Sequence, residues 1–269
     1  MIKVENIDIW GFEHAIRGMR NPKNSWEHSD TIFYPGFNDI FSKACPNCPH
    51  NDEDHCPVGE ECPYNDIIIG PNDMKLMQTL FKGGTEHRKY LRQIFVSMDI
   101  TAPLYWWKEF DTYKVGTVYN SCSTMHKIAA KEFELDDFSH EHLFDWGDSI
   151  GEKLIIDEGA YFIHGVTSDD GIKWLDGCIA IDLLHDTILA LNSYRERFLE
   201  TKDKRYWWQM IQLLPSSYNQ RRTITMNYEN VFTILRQRRG HKLDEWNTLC
   251  DIFETFPYVK EIGGLNETD

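Results

Sequence analysis

The sequence predicts an α/β fold in the broad sense, helix and strand mixed, with more helix than strand. Three observations carry that expectation. Apolar residues recur at helical spacing through the second half, as in Leu183, Leu184, Ile188, Leu191, Tyr194 and Phe198. Short β-type runs stand apart from them at Ile2–Ile9, Ile94–Thr101 and Thr223–Met226. Finally, 41% hydrophobic and 13% aromatic residues supply the core that a disordered chain lacks.

In chain order, residues 1–44 combine the Ile2–Ile9 strand with polar loop, and a Cys-rich loop continues to about Asn65. Asn72 or Asp73 can cap a helix through Met74, Leu76, Met77, Leu80 and Phe81, which Gly83-Gly84 ends. After the strand Ile94–Thr101, Pro103 suits the first turn of a helix over Leu104–Phe110, where its missing N–H costs nothing. Tyr113 to His126 is crowded with hydroxyls, an amide and a thiol. It reads either as a set of pocket-lining donors or as a polar turn that satisfies its own backbone. Residues 134–180 are acidic and irregular, with a hairpin signal at Ser168-Asp169-Asp170-Gly171. A helix begins at Ala180, and Asp203 caps the next, Arg205–Leu214, which Pro215 follows. Beyond the strand Thr223–Met226, Tyr228–Arg239 is helical up to Gly240, and Asp244–Phe256 is the last helix, closed by Pro257.

The charge balance narrows the partners. There are 28 Lys+Arg against 43 Asp+Glu, a formal net charge of −15, which argues against general nucleic-acid binding because neutralising phosphates takes Lys/Arg clusters. No apolar run reaches the roughly 20 residues of a membrane span, and Met1–Trp10 lacks a signal-peptide pattern, so a soluble cytoplasmic protein is expected. A small anion remains open. Arg195, Arg197, Arg221, Arg222, Arg236, Arg238 and Arg239 concentrate in the last third, and arginine forks bind phosphate bidentately. For most of them the plainer reading is a solvated helix face or an ion pair with the surplus acids.

Seven cysteines fit a reducing compartment, and four are bunched as Cys45, Cys48, Cys56 and Cys62. A CxxC turn can direct two thiolates at one tetrahedral ion, and the prolines around it leave the loop little regular structure. One structural zinc held by these four is one reading, with His50 or His55 as possible substitutes for a thiol. A reduced flexible loop and a pair of disulfides are the others.

The segment Leu214-Pro-Ser-Ser-Tyr-Asn-Gln-Arg221, with Asn227 six residues on and a following helix that carries Arg238, resembles the C-terminal part of the flavin-dependent thymidylate synthases. Tyr194-Arg195 stands at the spacing of that family's Tyr-Arg pair, and Ala102-Pro103-Leu104-Tyr105 is similar to the start of its helix before the signature. The likeness covers roughly 72–126 and 183–256, in one domain over 1–269, with a Cys-rich insertion at about 45–65 and an acidic one at about 134–180. The signature itself is altered. Thr112-Tyr113-Lys114 stands where the family has Arg-His-Arg. Ungapped, Cys122 falls on its active-site Ser and Thr124 on its Arg; with one inserted residue, Ser123 and Met125 take those places.

The resemblance implies a twisted, mostly antiparallel sheet flanked by helices. It further implies an FAD-dependent methyltransferase that converts dUMP to dTMP with methylenetetrahydrofolate and NADPH, working as a homotetramer. Arg195 would clamp the 5′-phosphate, and Arg221 would polarise the uracil. Cys122 or Ser123 would stand in the signature Ser position, while Glu109, Asn120 and Ser121 would touch the pyrimidine nucleotide. Thr112, Tyr113, Lys114 and Asn227 would line the flavin side. A diverged pyrimidine-nucleotide enzyme and a nucleotide-binding protein without flavin are the alternatives.

Overall fold

The computed structural model describes residues 2–33, 67–144 and 180–264, together with the backbone pairing of 162–167 and 173–178. It is a mixture of helix and antiparallel sheet, the class the sequence predicts. The strands are β1 (Lys3–Trp10), β2 (Ile32–Phe33), β3 (Ile67–Ile68), β4 (Phe95–Pro103), β5 (Val118–Ser121), β6 (Phe162–Thr167), β7 (Lys173–Cys178) and β8 (Asn219–Asn227). The helices are α1 (Phe12–Arg20), α2 (Pro71–Lys82), α3 (Leu104–Phe110), α4 (Thr124–Lys127), α5 (Ala180–Thr201), α6 (Lys204–Leu213), α7 (Tyr228–Arg238), α8 (Asp244–Glu254) and α9 (Val259–Gly263). A four-stranded sheet has the order β1-β4-β8-β5. Two antiparallel pairs, β2–β3 and β6–β7, stand apart from it. The β6–β7 register ends at Thr167 opposite Lys173, so the pair brackets the Ser168–Gly171 turn signal as predicted. Among the described residues no helix is long and apolar enough to cross a membrane.

The chain divides into two compact units: Met1–Lys3, Ile100–Thr112 and Asn120–Thr223 form the first, and Val4–Asp99, Tyr113–Tyr119 and Ile224–Asp269 the second. In the first, α5 presents Ile181, Leu184, Ile188 and Leu191 as one helical stripe, which is buried with Ile128, Phe133, Phe138 and Met210. Burying each such side chain contributes about 1.5–3 kcal/mol. Asn192 on the same helix fixes the entering loop, because its amide exchanges hydrogen bonds with both Phe133 backbone groups at 2.8 and 2.9 Å. Asp203 caps α6 as expected, accepting the Arg205 N–H at 2.9 Å. On α3, Trp106, Trp107 and Phe110 are fully buried, and the Trp107 indole donates to the Gln220 carbonyl at 2.9 Å.

The second unit holds the clearest corrections. Residues 12–20, expected as polar loop, form α1, because Phe12, Ala15, Ile16 and Met19 fall at helical spacing and are buried. Gly11 starts it with φ +98°, where a Cβ would lie 2.1 Å from the Gln93 carbonyl oxygen, so only glycine fits. Helix α2 begins at Pro71 with Gly70 as its cap, two or three residues earlier than the expected Asn72 or Asp73. The N–H groups of Asn72 and Asp73 are capped from a distance by the Asp30 carboxylate, at 2.8 and 3.0 Å. Asp73 turns inward instead. Its buried carboxylate accepts from Arg20 Nε at 2.6 Å, Ser29 Oγ at 2.7 Å, Thr31 Oγ1 at 2.6 Å, and the N–H groups of Asp30 and Thr31. A further short helix, α9, follows Pro257.

Candidate functional site

Strand β8 is longer than the β-type run Thr223–Met226 and starts at Asn219. Its buried face reads Gln220, Arg222, Ile224 and Met226, which leaves Arg221 exposed on the other face. Part of the Tyr113–His126 segment is strand β5, with Asn120 and Ser121 exposed at its end. Cys122 then leaves the strand with both backbone groups held: its N–H donates to the Arg221 carbonyl and its carbonyl accepts from Gln220 Nε2, each at 2.9 Å. The Cys122 thiol is exposed and free. Ser123 caps α4, accepting the His126 N–H at 3.1 Å, and its hydroxyl lies 2.9 Å from His126 Nδ1. Trp207 Nε1 donates to the Met125 carbonyl at 3.1 Å, and Arg195 Nε donates to the Ala129 carbonyl at 3.2 Å. The stretch 120–129 thus joins Asn120, Ser121, Cys122, Ser123, Arg221 and Arg195 within the first unit.

Arg195 is half-buried and forms no ion pair among the described residues. Others in the arginine group follow the plainer reading. Arg197 pairs with Glu200, Arg239 with Asp251 and Glu254, and Arg222 with Asp111 at 2.6 Å. Glu109 and Thr112 lie at the end of α3, where the Thr112 hydroxyl donates to the Glu109 carbonyl at 2.7 Å. Beside the 120–129 stretch, burial first and then the Asp137 carboxylate push the Tyr218 phenol above its ordinary value, so it is a neutral donor at physiological pH.

The remaining residues that the resemblance assigns to a flavin, Tyr113, Lys114 and Asn227, belong to the second unit. Tyr113 donates to Gln237 Oε1 and accepts from Arg238 Nε, both at 2.9 Å. The Arg238 guanidinium is stacked 4.6 Å from the Trp246 ring centroid. Asn227 is buried as the N-cap of α7, where its Oδ1 accepts the Asn230 N–H at 3.2 Å. Gly116, at φ +73°, passes so close that a Cβ would be 2.6 Å from Asn227 Nδ2. Lys114 is exposed and makes no ion pair among the described residues. Its cationic chemistry suits a flavin phosphate, whereas the polar groups of Thr112, Tyr113 and Asn227 are committed within the protein. Cys45, Cys48, Cys56 and Cys62 lie outside the described residues, as does the side chain of Cys178. Cys250 is buried, which pushes its thiol up to about 11.

Sequence reasoning missed Gln220 and Asp111 and left Arg222 in an undivided arginine group. The usable signal was period two: if Arg221 faces out of a strand, its neighbours on both sides face in, and a buried Gln and Arg must find partners. The strand went unrecognised at this end because its first four residues are all polar.

No family model and no curated protein matches the sequence. Among solved structures, the chain is similar to the flavin-dependent thymidylate synthase ThyX from Helicobacter pylori complexed with FAD and dUMP. That match has a TM-score of 0.54 and 16% identity, and covers 96% of each chain. A second structure of ThyX from Helicobacter pylori with FAD and dUMP matches with a TM-score of 0.53 and 15% identity, over 97% of this chain and 96% of that one. At such identity the likeness is one of fold.

Proposed function

We propose that the chain is a flavin-dependent thymidylate synthase-like enzyme that binds dUMP and methylates it reductively to dTMP. Methylenetetrahydrofolate would be the carbon donor and NADPH the reductant, in a homotetramer. The observation that carries the reading is Arg195, a half-buried guanidinium without an acid partner among the described residues in a chain of net charge −15. An unpaired cation in partial burial is costly, and a ligand phosphate relieves that cost. With Nε held by Ala129, the terminal nitrogens are left for a bidentate contact. Similarity in fold to a protein complexed with FAD and dUMP supports the choice of ligand.

In this reading Arg195 binds the 5′-phosphate, and Arg221, exposed on β8, stabilises negative charge that develops on the uracil ring. Asn120, Ser121 and Ser123 offer hydrogen bonds to the nucleotide, Cys122 presents a thiol in place of a hydroxyl, and Glu109 stands where the resemblance implies contact with the nucleotide. Lys114 would hold a phosphate of FAD. Bound flavin supplies the hydride and one-carbon chemistry. Four thiolates at Cys45, Cys48, Cys56 and Cys62 would be the ligands of one structural zinc.

A second reading, nucleotide binding without flavin, is favoured by one observation. Thr112, Tyr113 and Asn227 all make internal hydrogen bonds that a flavin would have to replace. The test is visible absorbance of the purified protein together with dUMP-dependent release of hydrogen from uracil C5. Flavin absorbance with release supports the first reading. Colourless protein that binds dUMP without release supports the second, and failure to bind dUMP rejects both.

A further inference from the structure

Gln220 and Arg222 sit side by side on the buried face of β8, only 9% and 8% exposed. Two polar side chains there need partners, and they find them in a single chain of contacts within the first unit. Asp111, at the end of α3, accepts from Arg222 at 2.6 Å. The Arg222 guanidinium lies 4.2 Å from the centroid of the buried Trp107 ring, and its Nε donates to Gln220 Oε1 at 3.0 Å. The Gln220 carboxamide then donates from Nε2 to the Cys122 carbonyl at 2.9 Å.

The direction of this chain is fixed by chemistry. A guanidinium can only donate, so the carboxamide must turn its oxygen to Arg222. That leaves the amino group facing away, and only an acceptor such as a carbonyl can satisfy it. The Cys122 N–H is held in turn by the Arg221 carbonyl at 2.9 Å. The residue is therefore gripped on both sides by consecutive residues of one strand, immediately before Ser123 caps α4. The Cys122–Ser123 turn owes its place to the polar residues beneath it rather than to apolar packing, since Cys122 and Ser123 are both exposed.

We infer that Gln220 is a positioning residue, held by Arg222 and Asp111, which sets the Cys122–Ser123 turn for the nucleotide. The nucleotide part of this inference rests on the function proposed above; the placing of the turn does not.

Gln220→Glu separates the two ends of the chain. The carboxylate keeps an acceptor for Arg222, and indeed strengthens that contact, but it opposes the Cys122 carbonyl with a second acceptor. Only the link to the turn is broken. Two measurements are made on the full chain: the rate at which iodoacetamide alkylates the Cys122 thiol, read by peptide mass spectrometry, and the dUMP dissociation constant by calorimetry. The expected result is thermal unfolding close to wild type, alkylation of Cys122 several-fold faster, and dUMP affinity weakened by about tenfold, the effect of one lost buried hydrogen bond. Should the buried carboxylate unfold the protein, Gln220→Met removes the donor to Cys122 without adding a charge; it also removes the acceptor for Arg222, so it tests the whole chain of contacts, and both readouts should move in the same directions. Unchanged alkylation in a folded variant overturns the proposal whatever dUMP does. Faster alkylation with unchanged dUMP affinity overturns the positioning role toward the nucleotide. A wild type that fails to bind dUMP overturns the function proposed above, while the alkylation rate still decides whether Gln220 places the turn.

Discussion

Arg20 and Asp73 meet at 2.6 Å in an ion pair whose side chains are 5% and 0% exposed, joining α1 to the first turn of α2. Two charges so deeply buried are tolerable only because the carboxylate also accepts from Ser29, Thr31 and two backbone N–H groups. Removing the negative partner strands the guanidinium. Asp73→Asn should destabilise the protein by about 3–5 kcal/mol, measured by urea unfolding, the range for breaking one side of a buried pair.

The same carboxylate predicts how stability responds to acid. Burial alone would raise the Asp73 pKa, but the hydrogen bonds from Thr31, Ser29 and Arg20 outweigh it and hold the group below its ordinary 3.8. Between the folded and unfolded values the unfolded chain binds the extra proton, so stability rises with pH in that window. Its contribution is complete above the unfolded pKa and is lost as the pH falls through the folded one. Unfolding followed against pH should show that loss in the wild type and a shallower acid slope in Asp73→Asn.

Gly70→Ala should destabilise by about 1–3 kcal/mol through overpacking, with a lower thermal midpoint. The cause is close approach, since a Cβ at this position would lie 2.3 Å from Asp30 Cγ and 2.4 Å from the Asp30 carbonyl oxygen. The clash dislodges the carboxylate that caps Asn72 and Asp73. If Gly70→Ala melts with the wild type, Asp30 is not the cap of α2.

Leu191 is fully buried one turn before Arg195 on α5. Leu191→Ala should lower stability by about 2–5 kcal/mol, the usual cost of a core cavity. Denaturant unfolding of the variant measures it directly.

For the metal, protein prepared without chelator should contain near one zinc per chain by elemental analysis. Absence of zinc with Cys45, Cys48, Cys56 and Cys62 all freely titratable in the native protein would exclude the site.

How far the sequence could be read follows from where apolar pattern and structure coincide. Helix α5 was legible because its buried residues Ile181, Leu184, Ile188 and Leu191 are all aliphatic and evenly spaced. Helix α1 carries the same periodicity in Phe12, Ala15, Ile16 and Met19, but over nine residues, and charged neighbours dilute it. Strand β5 has no alternation to find, because all four of its residues are exposed. At β8 the buried face is half polar, and hydrogen bonding within the fold replaces the hydrophobic signal that reading by pattern depends on. Asp73 has the residue type of a cap, yet a capping role was already taken by Asp30, more than forty residues away, which no local pattern reveals. Arg195 and Arg221 enter the proposed site only through the resemblance, whereas Asp111 and Gln220 emerge only once α3 and β8 are placed together.

The most direct test of the central claim compares dUMP with deoxyuridine by calorimetry on the wild type and on Arg195→Ala. If Arg195 holds the phosphate, the substitution should weaken dUMP by roughly ten- to a hundredfold, the effect of losing one partly desolvated charged contact. Deoxyuridine, which lacks the phosphate, should bind both proteins alike. Equal losses for the two ligands would contradict the account, since Arg195 would then be supporting the Ala129 turn rather than a ligand.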